Sequence, residues 1–261
     1  MDLGLTGKTA LVLGAGGGLG RATCLALAAE GVRVAVADHN ISSSKAVLRE
    51  LENLGATGQA IEWELGDLDA APENLGLVES NLGAVDVLVN ITGGPPPTAV
   101  LGQPRKLWSD QFRLMIHSVI TIADLVVPGM CERGWGRVIT STSSGVVEPI
   151  PNLGVSNTLR SSLLGWSKTL SREVGARGVT VNVVVPGRIA TDRVSFLDDT
   201  RATREGRPVE EVVAESASTI SIGRYGQPRE YGDAIAFLAS ERAAYITGSV
   251  LRVDGGMLSS V

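Results

Sequence analysis

The sequence predicts a single α/β domain: a seven-stranded, mostly parallel sheet with helices on both faces. Three observations carry that prediction. Short apolar, β-branched runs alternate with helical patterns along the whole chain. The runs are continuously apolar, as strands are when both faces of a sheet are covered. The 261 residues, 44% hydrophobic, suffice for one large core but are short for two ordinary domains, so one domain over 1–261 is expected.

The elements follow in order. KTALVLG is a short apolar run ending in glycine, a buried first strand. GLGRATCLALAAEG places Leu19, Cys24, Leu27 and Ala28 at helical spacing and stops at Gly31. RVAVAD is the second strand, and SSSKAVLRELENLG a helix that its serines would cap. Further strands are expected at TGQAIEWEL, VDVLVN, GRVITS, VTVNVVV and SVLRV, with helices as the crossovers that parallel neighbours require. From Arg188 to about Arg229 no strand is predicted. This polar stretch, with RATREGRPVEEVVAESAS in it, reads as a lid over a site or as a plain helical insertion.

Composition excludes several classes. A net charge of −5 gives no reason to expect nucleic acid or an anionic membrane surface. Cys24 and Cys131 lack metal-ligand spacing and read as buried thiols of a reducing compartment. No metal site is expected. No targeting segment is read at the N-terminus, and no run approaches the roughly 18 apolar residues of a membrane helix, so a soluble cytoplasmic protein is expected.

The chemistry starts in LGAGGGLG, residues 13 to 20, between the first strand and the first helix. Glycines bring backbone close to a phosphate, and a helix N-terminus offers free N–H groups. Gly14, Gly18 and Gly20 are spaced G-x-x-x-G-x-G. Asp38 closes the second strand about twenty residues on, where an acid accepts from adenosine ribose hydroxyls. No cation flanks it in VAVADHNI, so a 2′-phosphate would meet an unopposed negative charge. NAD(H) is therefore expected over NADP(H). The alternative for Asp38 is a cap on the next helix.

These motifs, with LGDLD, LVNITGG, NVVVPGRIATD and GRYGQPREYGDAIAFLASERAAYITGSVLRVDGGM, resemble the short-chain dehydrogenase/reductase family across essentially the whole chain. The likeness is to its 3-oxoacyl-acyl-carrier-protein reductase branch. It implies a Rossmann fold and a dinucleotide held by Gly14, Gly18, Leu19, Gly20 and Asp38. It also implies adenine contacts from Asp67 and Leu68, and contributions from Asn90 and Gly93. Pro186, Gly187, Ile189 and Thr191 would face the nicotinamide. It further implies a homo-oligomer, dimer or tetramer, packed through the helices carrying Met115 and Ser156 and through the C-terminal strand.

The departures from the family lie where its chemistry lies. The family pattern has serine, tyrosine, lysine and asparagine. Here Ser143 falls on the serine, but Ser156 stands for the tyrosine, Arg160 for the lysine and Met115 for the asparagine. A serine hydroxyl is a far weaker acid than a phenol of pKa about 10. Arg160 keeps its charge and donors, so it can still bond the cofactor's ribose hydroxyls, but it cannot shuttle protons. His117, His39, Tyr225 and Asp192 have more ordinary readings, as surface, adenosine-end, structural and helix-cap residues. Ser143, Ser156 and Arg160 remain the catalytic candidates.

Arg188 takes the position of a usually apolar residue and, with Arg160, would place two guanidiniums at the substrate end. That suits an anionic or acyl-carrier-bound substrate. Arg201, Arg204 and Arg207 would add charge from the lid; the alternative is that Arg188 pairs with an acid. Gly94 and Pro95, opening the GGPPPTAV loop, would border the substrate. Three functions remain open: an NAD(H)-dependent oxidoreductase of a carbonyl/hydroxyl substrate with an atypical acid–base system, a lyase or isomerase on the same scaffold, or an inactive NAD(H)-binding module.

Overall fold

The computed structural model describes residues 2–260. Its seven strands are β1 (Thr9–Leu13), β2 (Arg33–Asp38), β3 (Gly58–Glu62), β4 (Val87–Asn90), β5 (Gly136–Ser141), β6 (Val179–Pro186) and β7 (Val250–Val253). They form one sheet in the order β3-β2-β1-β4-β5-β6-β7. All six pairings are parallel, a stricter outcome than the mostly parallel sheet predicted.

Nine α-helices lie among the described residues: α1 (Gly18–Ala29), α2 (Ile41–Asn53), α3 (Ala71–Leu82), α4 (Arg105–Phe112), α5 (Ser118–Arg133), α6 (Gly154–Val174), α7 (Asp192–Glu205), α8 (Val209–Ser218) and α9 (Pro228–Ala239). The continuous apolar strands have their explanation in two cores. Ala10, Val12, Val34 and Val36 pack against α1, α2 and α9 on one face. Their neighbours Leu11, Leu13, Ala35 and Ala37 pack against α3 and α5 on the other. Cys24 and Cys131 are free and buried.

Strand order reverses between β1 and β4, so the loops after these strands diverge and leave a crevice at the carboxyl edge. Three local differences from expectation bear on that crevice. β3 ends at Glu62, and Trp63, Glu64 and Leu65 leave the sheet. The cap of α2 is Asn40, whose Oδ1 accepts from the backbone N–H of Ser42 and Ser43, so the serines are not the cap. The strand-free region after Arg188 is helical, α7 and α8 meeting at Gly206 with φ +64°.

α4 and α5 form one continuous run through a π-helical turn, Arg113–His117, with Met115 at its centre. This run, Arg105–Arg133, is long and apolar enough to cross a bilayer by length and composition, contrary to expectation. Here Met115, Val119, Ile122, Val126 and Met130 bury its apolar side in the protein core.

Candidate active site

A cavity of about 830 Å³ opens at the carboxyl edge of the sheet. That is room for a dinucleotide's reactive half and a small ligand beside it. One wall is the glycine turn. Gly14 has φ +65°, and a Cβ on it would stand 2.0 Å from the carbonyl oxygen of Ile91. Only glycine lets the loops after β1 and β4 come so close. A Cβ on Gly18 would lie 2.6 Å from Cγ2 of Thr191, so the start of α1 also touches the segment after β6. Gly14, Gly18, Leu19 and Gly20 all line the cavity, with the N-terminus of α1 facing it.

Asp38 is buried at the end of β2 and lines the same cavity. Its Oδ2 accepts from the N–H of Gly16 at 3.0 Å, and its Oδ1 accepts from the N–H of Asn40 at 3.0 Å. His39 is exposed, with Nδ1 2.9 Å from Asp38 Oδ1. Asp67 and Leu68 require correction. They do not line this cavity; Glu64 and Leu65 do. The reason is local: β3 stops early, and the Asp67 N–H bonds back to the carbonyl of Glu64, turning the chain away. The Asp67 carboxylate then accepts from the N–H of Ala70.

After β4, Gly93 and Gly94 line the cavity, whereas Asn90 is fully buried beneath it, donating through Nδ2 to Thr140 Oγ1 at 3.1 Å. Pro95 is outside the lining and presents its carbonyl to Arg193 at 2.8 Å; Pro97 is the proline that faces the space. After β6, Pro186, Gly187, Ile189 and Thr191 form the opposite wall. Thr191, not Asp192, caps α7, its Oγ1 accepting from the N–H of Val194.

Ser143, Ser156 and Arg160 come together in this cavity. Ser143 Oγ accepts from the N–H of Gly145 at 3.2 Å. Arg160 is buried and lies across the loop after β4. It donates to Ser156 Oγ (3.3 Å), Thr92 Oγ1 (3.4 Å), Thr92 O (3.1 Å) and Gly93 O (2.9 Å). Every acceptor is neutral. Burial, and then the charge of Arg193, pull the Arg160 guanidinium down to about 10. Met115, where the family pattern has asparagine, is packed among Val119, Val155, Leu159 and Leu163, a wholly apolar setting. No tyrosine lines the cavity among the described residues. Tyr225 donates to Asp198 Oδ2 at 2.9 Å, Tyr231 is in the core, and Tyr245 is exposed. His117 is exposed beside Phe112, away from the cleft.

The arginine expectation changes most. Arg188 lines the cleft, but its guanidinium is engaged by the buried carboxylate of Asp198 at 2.5 Å and by the Tyr225 hydroxyl. It pairs with a lid acid rather than standing free. Arg201, Arg204 and Arg207 are likewise matched by Glu205, Glu211 and Glu215. The arginine that sequence reasoning missed is Arg193. From the first turn of α7 it reaches across the cleft to Pro95 O.

The comparisons with known proteins agree with this geometry. The family model described as enoyl-(acyl carrier protein) reductase matches residues 14–258. The 3-oxoacyl-(acyl-carrier-protein) reductase FabG of Escherichia coli K12 is 36% identical over 253 residues, 96% of this chain and 97% of that protein. Among solved structures, L-sorbose reductase of Gluconobacter frateurii, complexed with NADPH and L-sorbose, superposes with TM-score 0.94 over the full length of both chains at 28% identity. A 7α-hydroxysteroid dehydrogenase complexed with NADH and a 7-oxo bile acid gives TM-score 0.89 at 26% identity, covering 99% of this chain and 97% of that one.

Proposed function

This chain belongs to the short-chain dehydrogenase/reductase family and is an NAD(P)-dependent oxidoreductase of CH–OH and carbonyl groups; from that premise we propose that it uses NAD(H) and an acid–base system without tyrosine or lysine. The observation that carries the cofactor reading is Asp38, whose carboxylate is fixed toward the cleft by the Gly16 N–H. The arginines lining the cavity are Arg160, Arg188, Arg193, Arg201 and Arg204, from α6, the segment after β6, and α7. None comes from the second strand or the glycine turn, where a 2′-phosphate would need one.

The residues fit a dinucleotide. Gly14, Gly18, Leu19 and Gly20 cradle its phosphates, and Asp38 accepts from ribose hydroxyls. Gly93, Pro186, Gly187, Ile189 and Thr191 hold the nicotinamide half. Asn90 acts from behind the wall, and Glu64 and Leu65 take the adenine side in place of Asp67 and Leu68. The bound nicotinamide supplies or accepts the hydride.

Ser156 accepts from Arg160 Nε, so its own proton is free to point at a substrate oxygen. The guanidinium makes that hydroxyl a stronger donor than an isolated serine. Ser143 gives a second hydroxyl to the same oxygen. Neither serine surrenders its proton at neutral pH; both stabilise the developing alkoxide as hydrogen-bond donors, and the proton that neutralises it is drawn from bulk solvent through the cleft. The substrate is a small carbonyl or hydroxyl compound bordered by Gly94 and Pro97, under a lid spanning about 188–229. We further read a cytoplasmic homo-oligomer, dimer or tetramer. Half-exposed Val250 and Leu251 on edge strand β7, an unguarded apolar edge, support that assembly.

The test is calorimetric titration with NADH and NADPH, followed by absorbance assays of NADH consumption with a panel of ketones and oxo acids. Tight NADH binding, weak NADPH binding and turnover with one of the panel are the expected results. No binding of either nucleotide would overturn the reading.

A further inference from the structure

Five arginines line the cleft. Arg188, Arg201 and Arg204 are each held by acids of the lid. Arg160 and Arg193 are different: among the described residues neither makes a salt bridge. Arg160 is only 7% exposed yet spends its four hydrogen bonds on a serine, a threonine and two backbone carbonyls. Arg193 has one bond, to Pro95 O. The two meet beside Gly94. An ideal Cβ at that glycine would lie 3.5 Å from a terminal nitrogen of each guanidinium, so those nitrogens are no further apart than twice that distance.

Two like charges side by side, neither neutralised, oppose each other, and the buried one, Arg160, is also poorly solvated. An anion between them removes both penalties. Arg193 keeps free N–H donors, and Arg160 retains one on Nη1, next to the Nη2 already spent on Thr92 O and Gly93 O, enough to grip two oxygens. The dinucleotide's pyrophosphate has its own place at the glycine turn and the N-terminus of α1. Arg160 also bonds Ser156, which would meet the reacting oxygen, so the anion is adjacent to the chemistry.

We propose that Arg160 and Arg193 form a receptor for a carboxylate of the substrate, which is therefore an oxo or hydroxy acid rather than a neutral ketone or a thioester. This rests on the oxidoreductase reading and names its substrate class. A planar carboxylate matches the guanidinium forks. Because Arg193 belongs to α7 and reaches the loop after β4, the same carboxylate ties the lid to the body of the molecule.

The test uses the full chain, with and without saturating NADH. Calorimetry compares 2-, 3- and 4-oxo acids with their methyl esters in the parent, Arg193→Met and Arg193→Lys. At least one acid should bind about tenfold or more tightly than its ester. Arg193→Met should erase that preference while leaving NADH and ester affinities unchanged, and Arg193→Lys should restore part of it. An acid bound no better than its ester at every chain length overturns the receptor. So does a loss of NADH affinity in Arg193→Met with the acid preference intact, which would give the guanidinium to the cofactor's phosphates. The two readings separate cleanly. Acid binding without NADH turnover would sink the redox reading alone, and turnover of neutral ketones without acid preference would sink the receptor alone.

Discussion

Arg160 donates its Nε–H to Ser156 Oγ at 3.3 Å, one helical turn away on α6. The positions that the family gives to lysine and tyrosine are thus still coupled, but in reverse. A permanent cation polarises a hydroxyl too weakly acidic to release its proton. Restoring the phenol should restore general acid catalysis. The double variant Ser156→Tyr with Arg160→Lys is expected to reduce neutral ketones about a hundredfold faster than the parent. NADH consumption at 340 nm checks it. No gain, with NADH binding retained, would show that Met115 and its apolar surroundings also have to be rebuilt.

Asp38 is expected to decide the nucleotide. Asp38→Ser should reduce the preference for NADH over NADPH by about tenfold or more, read as the ratio of two dissociation constants. An unchanged ratio would leave Asp38 only as a buttress of the glycine turn through Gly16.

Arg188 should act on stability rather than on substrate. Arg188→Ala strands the Asp198 carboxylate, its side chain 2% exposed, with only the Tyr225 hydroxyl. A broken buried pair costs about 3 kcal/mol, less here because Arg188 is partly exposed. The double variant Arg188→Ala with Asp198→Asn should recover part of the loss. Urea titration, with hydrogen exchange across α7, reads both. Arg204, in an exposed pair, should cost little when replaced.

Acid should loosen the lid. Hydrogen bonds from Arg201, foremost, hold the Glu205 and Glu215 carboxyls below their ordinary range. A carboxylate lowered in the folded state stabilises it above the ordinary value, and that contribution disappears as pH falls through the lowered one. Both groups are at the surface, so salt weakens the effect. The protection factors of amides over residues 192–218 should fall from about pH 6 to about pH 3, and high salt at neutral pH should mimic part of that change. Equal protection at both pH values would show that the helices are held by packing alone.

The fold was legible because both faces of every central strand are buried. Runs such as VTVNVVV have no reading except a covered parallel strand. The glycine turn was legible for a similar reason: Gly14 has no alternative at its φ and its approach to Ile91. Positions whose role depends on a loop's exit direction were harder. Asp67 and Leu68 were displaced because the end of β3 is not marked in TGQAIEWEL. Arg188 was open from the start, since an arginine beside a cleft reads alike whether or not an acid ten residues away turns back to it. Arg193 had one available signal. A cation in the first turn of a helix opposes the helix dipole, and such a placement calls for another explanation.

Gly14 and Met257 line one cavity, and the Cα of Asp254 abuts Gly187. Order of synthesis therefore matters. While the chain is still on the ribosome, the glycine turn is made well before the partners that close over it. Until β7 emerges, β6 is an open strand edge whose Val183–Pro186 stretch has no neighbour on that side. A stop codon anywhere before residue 250 would leave both that edge and the pocket unfinished. A pocket begun at Gly14 is thus closed only when Met257 joins its wall.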